Sequence, residues 1–451
     1  MKTIKTKLLL LSFLAAAFSL GAQQTDTASY NYSLQQCIDY ALAHNTDVQN
    51  AMLDEVAAAD KVKEVTGIAL PQVNTSFQVQ DYLEIPTSFI PGEFFGGPAG
   101  SYIPVKFGTK YNASLSFTGT QLIFSGPWIV GLQAAKVYQG LAQKNADRTS
   151  IEAAADVTKA YYTVLVNMEK KKLLDANIAA VKKLKDDTKA YLDNGFVEPI
   201  DYSRITVTYN NLSTEVTNAK NLLDLSLVLL KYQMGMDQSA KLSLTQSISD
   251  ITFAPTTVAS GKYDYSKRVE YQLMDMQLKG SILTMKAERM GYLPTVAFFG
   301  TATAQAQRTT FNIFTPGKPW YPVGVIGLQV SMPIFDGLQR HYRYSQDKIG
   351  MLKAQNNLLL MERTIDMQQA VAKVNLENSA ASLSSQKENM DLAQQIVDAA
   401  KAKYDVGFQS NLEIINAETA LKEAQTNYFD ALYNAVIAKV DYDKSLGLLT
   451  H

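Results

Sequence analysis

The sequence predicts a mainly α protein with a β-barrel part. Long antiparallel coiled-coil helices would form a helical barrel, and four strands per chain would contribute to a transmembrane barrel shared between copies. Three observations predict this. Two stretches, residues 128–194 and 338–406, contain no proline and keep a helical period. Four segments of about ten residues alternate apolar and polar side chains. The whole order of segments occurs twice.

The chain opens with Lys2, Lys5 and Lys7, an apolar run over residues 8–18, and small residues ending at Gly21-Ala22. That is the order of a secretory signal peptide, expected over residues 1–22. Its removal takes three lysines and no acid, which turns the net charge of −1 into −4. A near-neutral chain is not a typical nucleic-acid binder. The lone cysteine, Cys37, excludes a disulfide framework and a Cys-rich zinc site and reads as a small buried residue. His44, His341 and His451 lie far apart, so nothing points to a metal centre or a cofactor. No later run is apolar enough for a membrane helix, and only a closed barrel remains as a way across.

The duplication is carried by short matches. Leu70-Pro71-Gln72-Val73 recurs as Leu293-Pro294-Thr295-Val296, and Ile123-Phe124-Ser125-Gly126 as Ile334-Phe335-Asp336-Gly337. Gly195-Phe196 recurs as Gly407-Phe408, and Gly235 as Gly447. Gly195 to Gly235 and Gly407 to Gly447 are both 40 residues. Two copies, residues 33–235 and 262–447, follow, with a polar connector over 236–261.

Each copy reads the same way. A helix is expected over 33–66, then a strand at its Leu-Pro-x-Val entry. The strands are expected over about 72–84, 108–124, 295–307 and 323–335. Val73, Thr75, Phe77 and Val79 alternate with Asn74, Ser76, Gln78 and Gln80, and Ile326, Leu328 and Val330 alternate with Gly327, Gln329 and Ser331. One apolar and one polar face is what a membrane barrel strand needs, and equally what a sheet on a soluble core needs. Loops rich in proline and aromatics join each pair, with Phe89, Phe94 and Phe95 in the first and Trp320 and Tyr321 in the second. Those rings fit either the headgroup level or packing of the loop on itself. A helix of about 65 residues, roughly 100 Å long, follows and ends at Asn194-Gly195 in copy one. Shorter helices, 33–66 with 199–234 and 262–290 with 411–446, sum to nearly the length of a long one. Stacked in pairs beside it, they predict a rod or tube wall.

Four strands cannot close a barrel, so copies must share one. Two chains give eight strands with little free bore; three give twelve and a wet lumen.

The mature chain resembles the TolC-like outer-membrane efflux proteins. The resemblance rests on the opening run Leu34 to Asn45, the Leu-Pro-x-Val entries, the Ile-Phe-x-Gly exits, and Val406-Gly407-Phe408 followed by Leu412, Ile415 and Ala417. It implies a homotrimer with a twelve-stranded barrel in the outer membrane and a twelve-helix periplasmic tunnel. It also implies a periplasmic adaptor and an inner-membrane transporter as partners, and no enzymatic activity. The tunnel would be closed by helical tips turning at Gly195 and Gly407 and opened by an iris-like shift. Asp201 matches an acid of the first tip, Tyr404 a tyrosine of the closing network, and Glu413 an acid of the narrowest ring. Three such acids would favour cations. The chain departs from the pattern at Gln409, where an arginine is expected, and at Asn416, where a second ring acid is expected. Neutral hydrogen bonds from Gln409, or Arg204 in another geometry, would then hold the tips. Asp201 reads equally as an acid favoured by its helix dipole, and Glu413 as a solvated helix residue.

The runs Lys170-Lys171-Lys172 and Lys182 to Asp187 read as solvated faces or inter-helix pairs, with adaptor docking as the lesser reading. The rival to a duct is a barrel-anchored structural or adhesive coiled coil without transport. A secreted hydrolase lacks its Gly-x-Ser-x-Gly or His-Glu-x-x-His motif.

Overall fold

The computed structural model describes residues 29–248, 263–406, 408 and 411–449. The signal peptide, much of the connector, Gly407 and Gln409 lie outside the described residues. Two compact units divide the chain. No helix among the described residues is long and apolar enough to cross a membrane.

One unit holds Leu53–Lys144 and Tyr271–Met361. Its centre is an antiparallel sheet of β2 (Gln72–Asp81), β5 (Tyr111–Phe124), β7 (Thr295–Arg308) and β8 (Tyr321–Ser331), in that spatial order. The last strand of copy one and the first of copy two are therefore neighbours in the middle, and β2 and β8 are open edges. Against the expected bounds three ends are trimmed, and the first of them is at β5, which begins at Tyr111 and not at 108. β8 stops at Ser331 and not at 335, because Pro333 brings no N–H to the ladder. β2 stops at Asp81, and the loop beyond it carries an unforeseen hairpin, β3 (Thr87–Pro91) with β4 (Tyr102–Lys106).

Register sorts the side chains. Ser76, Ser116 and Thr303 share one row, as do Asn74, Thr118 and Thr301. Ser116 Oγ lies 2.5 Å from Thr303 Oγ1. The opposite face carries Phe77, Leu115 and Ala304 in one row and Val73, Gly119, Gly300 and Ile326 in another. The loop after β7 folds onto this apolar face: Ile313 packs with Ala113 and Ala306, and Phe314 lies 6.3 Å from Phe77. Trp320, with Ile313, packs this second loop down on the sheet, whereas Phe89, Phe94 and Phe95 of the first loop and Tyr321 are exposed.

The repeated glycine at the strand exits does two jobs. In copy one, a Cβ on Gly126 would stand 2.6 Å from the Met290 carbonyl oxygen, so close approach demands glycine. In copy two, Gly337 and Leu338 are both left-handed, with φ of 65° and 68°. The second long helix therefore begins at Gln339, two residues later than its counterpart would suggest.

The second unit holds Met1–Met52, Asn145–Glu270 and Glu362–His451. The helix expected over 33–66 is two, α1 (Leu34–His44) and α2 (Thr46–Gly67). Asn45 makes the break: its Oδ1 accepts from the N–H groups of Asp47 and Val48, and its Nδ2 donates to the Gln233 carbonyl at 2.9 Å. Ser33 and Gln36 form a capping box ahead of α1. β1 (Ser29–Tyr32) pairs in parallel with β6 (Lys241–Leu244), so the connector is partly strand. Cys37 is fully buried beside Ala41, Tyr161 and Val164.

The long helices are α3 (Gly126–Asp193) and α6 (Gln339–Asp405), with partners α4 (Pro199–Met234) and α7 (Asn411–Ser445). α5 (Val269–Met290) starts later than the 262 expected, after a short turn at Tyr265–Lys267. In α4, Ile205, Leu212, Ala219 and Ser226 are buried seven residues apart, and the first three pack with Leu174 and Val181 of α3. Val397 and Ala400 of α6 meet Ile414, Ala417 and Leu421 of α7. These are antiparallel coiled-coil seams. Leu184 packs against both seams, which joins the two hairpins.

Candidate gate and pore lining

The first tip is built by an α3 stop and an α4 start. Gly195 takes φ of 75°, and the Phe196 N–H closes back on the Tyr191 carbonyl. Phe196 is left exposed. Pro199 opens α4, where its missing N–H costs nothing. Asp201 follows in the first turn, its Oδ1 3.6 Å from Arg204 Nη1. Arg204 thus makes its ion pair along its own helix. Such a half-exposed pair contributes at most about 1 kcal/mol.

The second tip places Tyr404 at the end of α6, against the Val397–Ile414 seam. Phe408 is exposed, as Phe196 is in copy one. Glu413 stands exposed in the first turn of α7. With Asn416 and Lys403 it lines an open groove floored by Ala400 and Ala417. Tyr404, Glu413 and Asn416 thus share the second tip, and Asp201 and Arg204 the first. Gln409 and Gly407 lie outside the described residues.

Sequence reasoning missed the charges that hold the hairpins. Lys401 Nζ reaches Glu418 of α7 at 2.6 Å, and Glu418 is largely buried. Lys422 of α7 pairs with Glu215 of α4, and Asn177 of α3 donates to the buried Gln425 at 2.7 Å. Only their place on helical faces beside the seams could have marked them. Within the lysine runs, Lys171 pairs with Asp175 along α3, and Lys185 lies 4.6 Å over the Tyr209 ring of α4.

Nearer the connector, Arg268 is 5% exposed. It holds both oxygens of Glu270, the side chain of Gln368 and the Ser445 carbonyl at the end of α7. Burial by itself would raise the Glu270 carboxyl, but the guanidinium outweighs it and holds the group below the usual carboxylate range. Burial pushes the Cys37 thiol up to about 12, so it is an inert core group.

On the sheet, the polar face from β2 to β7 presents amides and hydroxyls. Its rows run Gln80–Asn112–Gln307 and Gln78–Ser114–Gln305. Hydroxyl and amide groups on one side and apolar groups on the other let the sheet stand between water and hydrocarbon. Among the described residues, no group of three or more His, Cys, Asp or Glu is placed to hold a metal ion.

Residues 283–448, from within α5 to past α7, match the family described as Outer membrane efflux protein. The chain is 22% identical to Outer membrane protein TolC of Escherichia coli (strain K12), over 92% of this chain and 82% of that protein. The CusC channel superposes with a TM-score of 0.73 at 13% identity, covering 93% of each chain. The open state of the Neisseria gonorrhoeae MtrE outer membrane channel gives 0.70 at 15% identity, over 92% of this chain and 88% of that one. In sequence and in fold the chain resembles the TolC-like outer-membrane efflux proteins. Its place is the outer membrane, with helices extending into the periplasm, and its class is a channel and not an enzyme. The helical barrel and the shared β-barrel are the fold of that class.

Proposed function

We propose that three copies of this chain form the exit duct of a tripartite efflux or secretion pump. The observation that carries the reading is the four-stranded sheet with two unpaired edges, one apolar face and one hydroxyl- and amide-lined face. In hydrocarbon each unpaired backbone group costs several kcal/mol, so β2 and β8 need strand partners from other copies. Twelve strands enclose a bore wide enough for water and solutes. Flux through it is passive, and the energy comes from an inner-membrane transporter reached through a periplasmic adaptor.

The tips gate the duct. Each is a hairpin of two helices held by a coiled-coil seam, so each moves as a unit. Asp201 with Arg204, and Glu413 with Asn416, stand at the ends of those units. The closed state is held by weak contacts there, consistent with the modest Asp201–Arg204 pair and the neutral Asn416. Partner binding shifts the balance to the open state.

Planar-bilayer recording of the purified protein tests this. Discrete, cation-selective openings are expected. Glu413→Ala should lower the preference for cations while leaving openings intact. Absence of any unitary conductance would favour a structural anchor. Unchanged selectivity in the variant would remove Glu413 from the constriction.

A further inference from the structure

The turn between β8 and α6 differs from its counterpart in copy one in a way that efflux does not require. Copy one carries no charged residue from Tyr111 to Ala135, through its strand exit and the start of α3. Copy two carries Asp336, Arg340, His341 and Arg343 within eight residues. Arg289, at the end of α5, adds a further cation beside the same strand ends.

The apolar side chains of this turn are bare. Ile334 is 93% exposed and Phe335 82%, with Met332, Leu338 and Tyr342 also exposed. Met332 and Ile334 continue the alternation of Ile326, Leu328 and Val330, which is the lipid-facing side of the sheet. The apolar band of the barrel therefore runs past the last ladder pair, Thr295 with Ser331, into the turn. Because the helices extend into the periplasm, this end of the sheet meets the periplasmic leaflet.

The cations are only partly used within the protein. Arg340 is tied down: Asp336 pairs with its Nε at 3.4 Å, the Gly291 carbonyl accepts from it, and it lies over the Tyr292 ring. Arg343 donates to the neutral Gln339 at 3.1 Å. No carboxylate is paired with Arg343 or Arg289 among the described residues. The first turn of α6 contains no acid. Arg343 thus stands near a helix start, where the dipole disfavours cations. A placement against local preference, next to an apolar band, calls for an outside anion. Aromatics at the headgroup level with arginines just beyond are the arrangement that holds a bilayer surface.

We propose that the β8–α6 turn is a phospholipid anchor. Ile334 and Phe335 enter the periplasmic leaflet of the outer membrane, and Arg289 and Arg343 hold the phosphate of an anionic headgroup. Copy one supplies only the apolar half of this arrangement, through Ile123 and Phe124. A second copy of the chain is the competing occupant. It would explain the bare apolar groups but not the two arginines that no carboxylate of the described residues pairs.

The full-length protein is reconstituted in discs of equal parts phosphatidylcholine and phosphatidylglycerol, and retained lipid is counted by native mass spectrometry. Each cation near an anionic surface contributes about fivefold in affinity. The wild type should retain phosphatidylglycerol preferentially, and Arg289→Gln with Arg343→Gln should cut that preference at least about fivefold with unitary conductance unchanged. Equal retention by wild type and variant would overturn the proposal. A nitroxide on Phe335→Cys gives the second reading, since the buried Cys37 is out of the label's reach. Greater accessibility to oxygen than to a water-soluble nickel chelate is expected. Greater accessibility to nickel, or to neither because another subunit covers the site, would refute it.

Discussion

Arg268 is the side chain whose loss should be felt most widely. It joins the entry of α5, the body of α6 and the last turn of α7. Arg268→Ala leaves Glu270 and the Ser445 carbonyl without their partner, and breaking a largely buried pair of this kind costs about 3 kcal/mol or more. A marked drop in the thermal unfolding midpoint is expected. The pH dependence has a definite sign. Glu270 titrates below its unfolded value, about 4.3, so its contribution is complete above that value. It is lost as pH falls through the lower folded value. The wild type should thus lose stability on acidification below about pH 4.3, and the Arg268→Ala protein less steeply; parallel pH curves would contradict the clamp. Asn45→Ala removes a cap and a bond to α4 and should cost about 1 kcal/mol, read as faster hydrogen exchange at the start of α2. Neither role was legible. An arginine in a polar stretch reads as surface, and one asparagine in an apolar-periodic run gives no warning that it turns its amide to a distant helix end.

At the scale of elements, the regular parts were legible because a single environment acts on each over many residues. The long helices show a steady period because one stripe stays buried along their length. The four barrel strands alternate because hydrocarbon meets one face and water the other. β1 and β6 escaped because four residues cannot show a period, and the break at Asn45 because both flanking helices keep the same one. The tip residues came from the family resemblance, and Asp201 and Arg204 lie in the first turns of α4, Tyr404 at the end of α6, and Glu413 and Asn416 in the first turns of α7. What spacing could not show was the tie between hairpins through Lys422–Glu215 and Asn177–Gln425. Two predictions belong here. Leu212→Ala opens a cavity in the α3–α4 seam and should cost about 2–4 kcal/mol, with raised hydrogen exchange towards the tip and little change in the strands. Gly327→Val should damage the sheet edge, since a Cβ there would meet the Phe299 ring at 2.8 Å. Lower yield of folded, detergent-extracted protein is the measurement that checks it.

For the whole molecule, the duplication explains the sheet order. Each copy supplies two strands and a pair of helical hairpin arms, and β5 and β7 meet in the middle of the sheet, leaving β2 and β8 for other chains. Everything proposed about conduction depends on those edges being paired between copies. The most direct test is the number of chains in the detergent-solubilised particle, measured by mass after subtraction of bound detergent. Three chains per particle, falling apart only when the strands unfold, is the predicted result. A single chain that stays folded and monodisperse without detergent would contradict it.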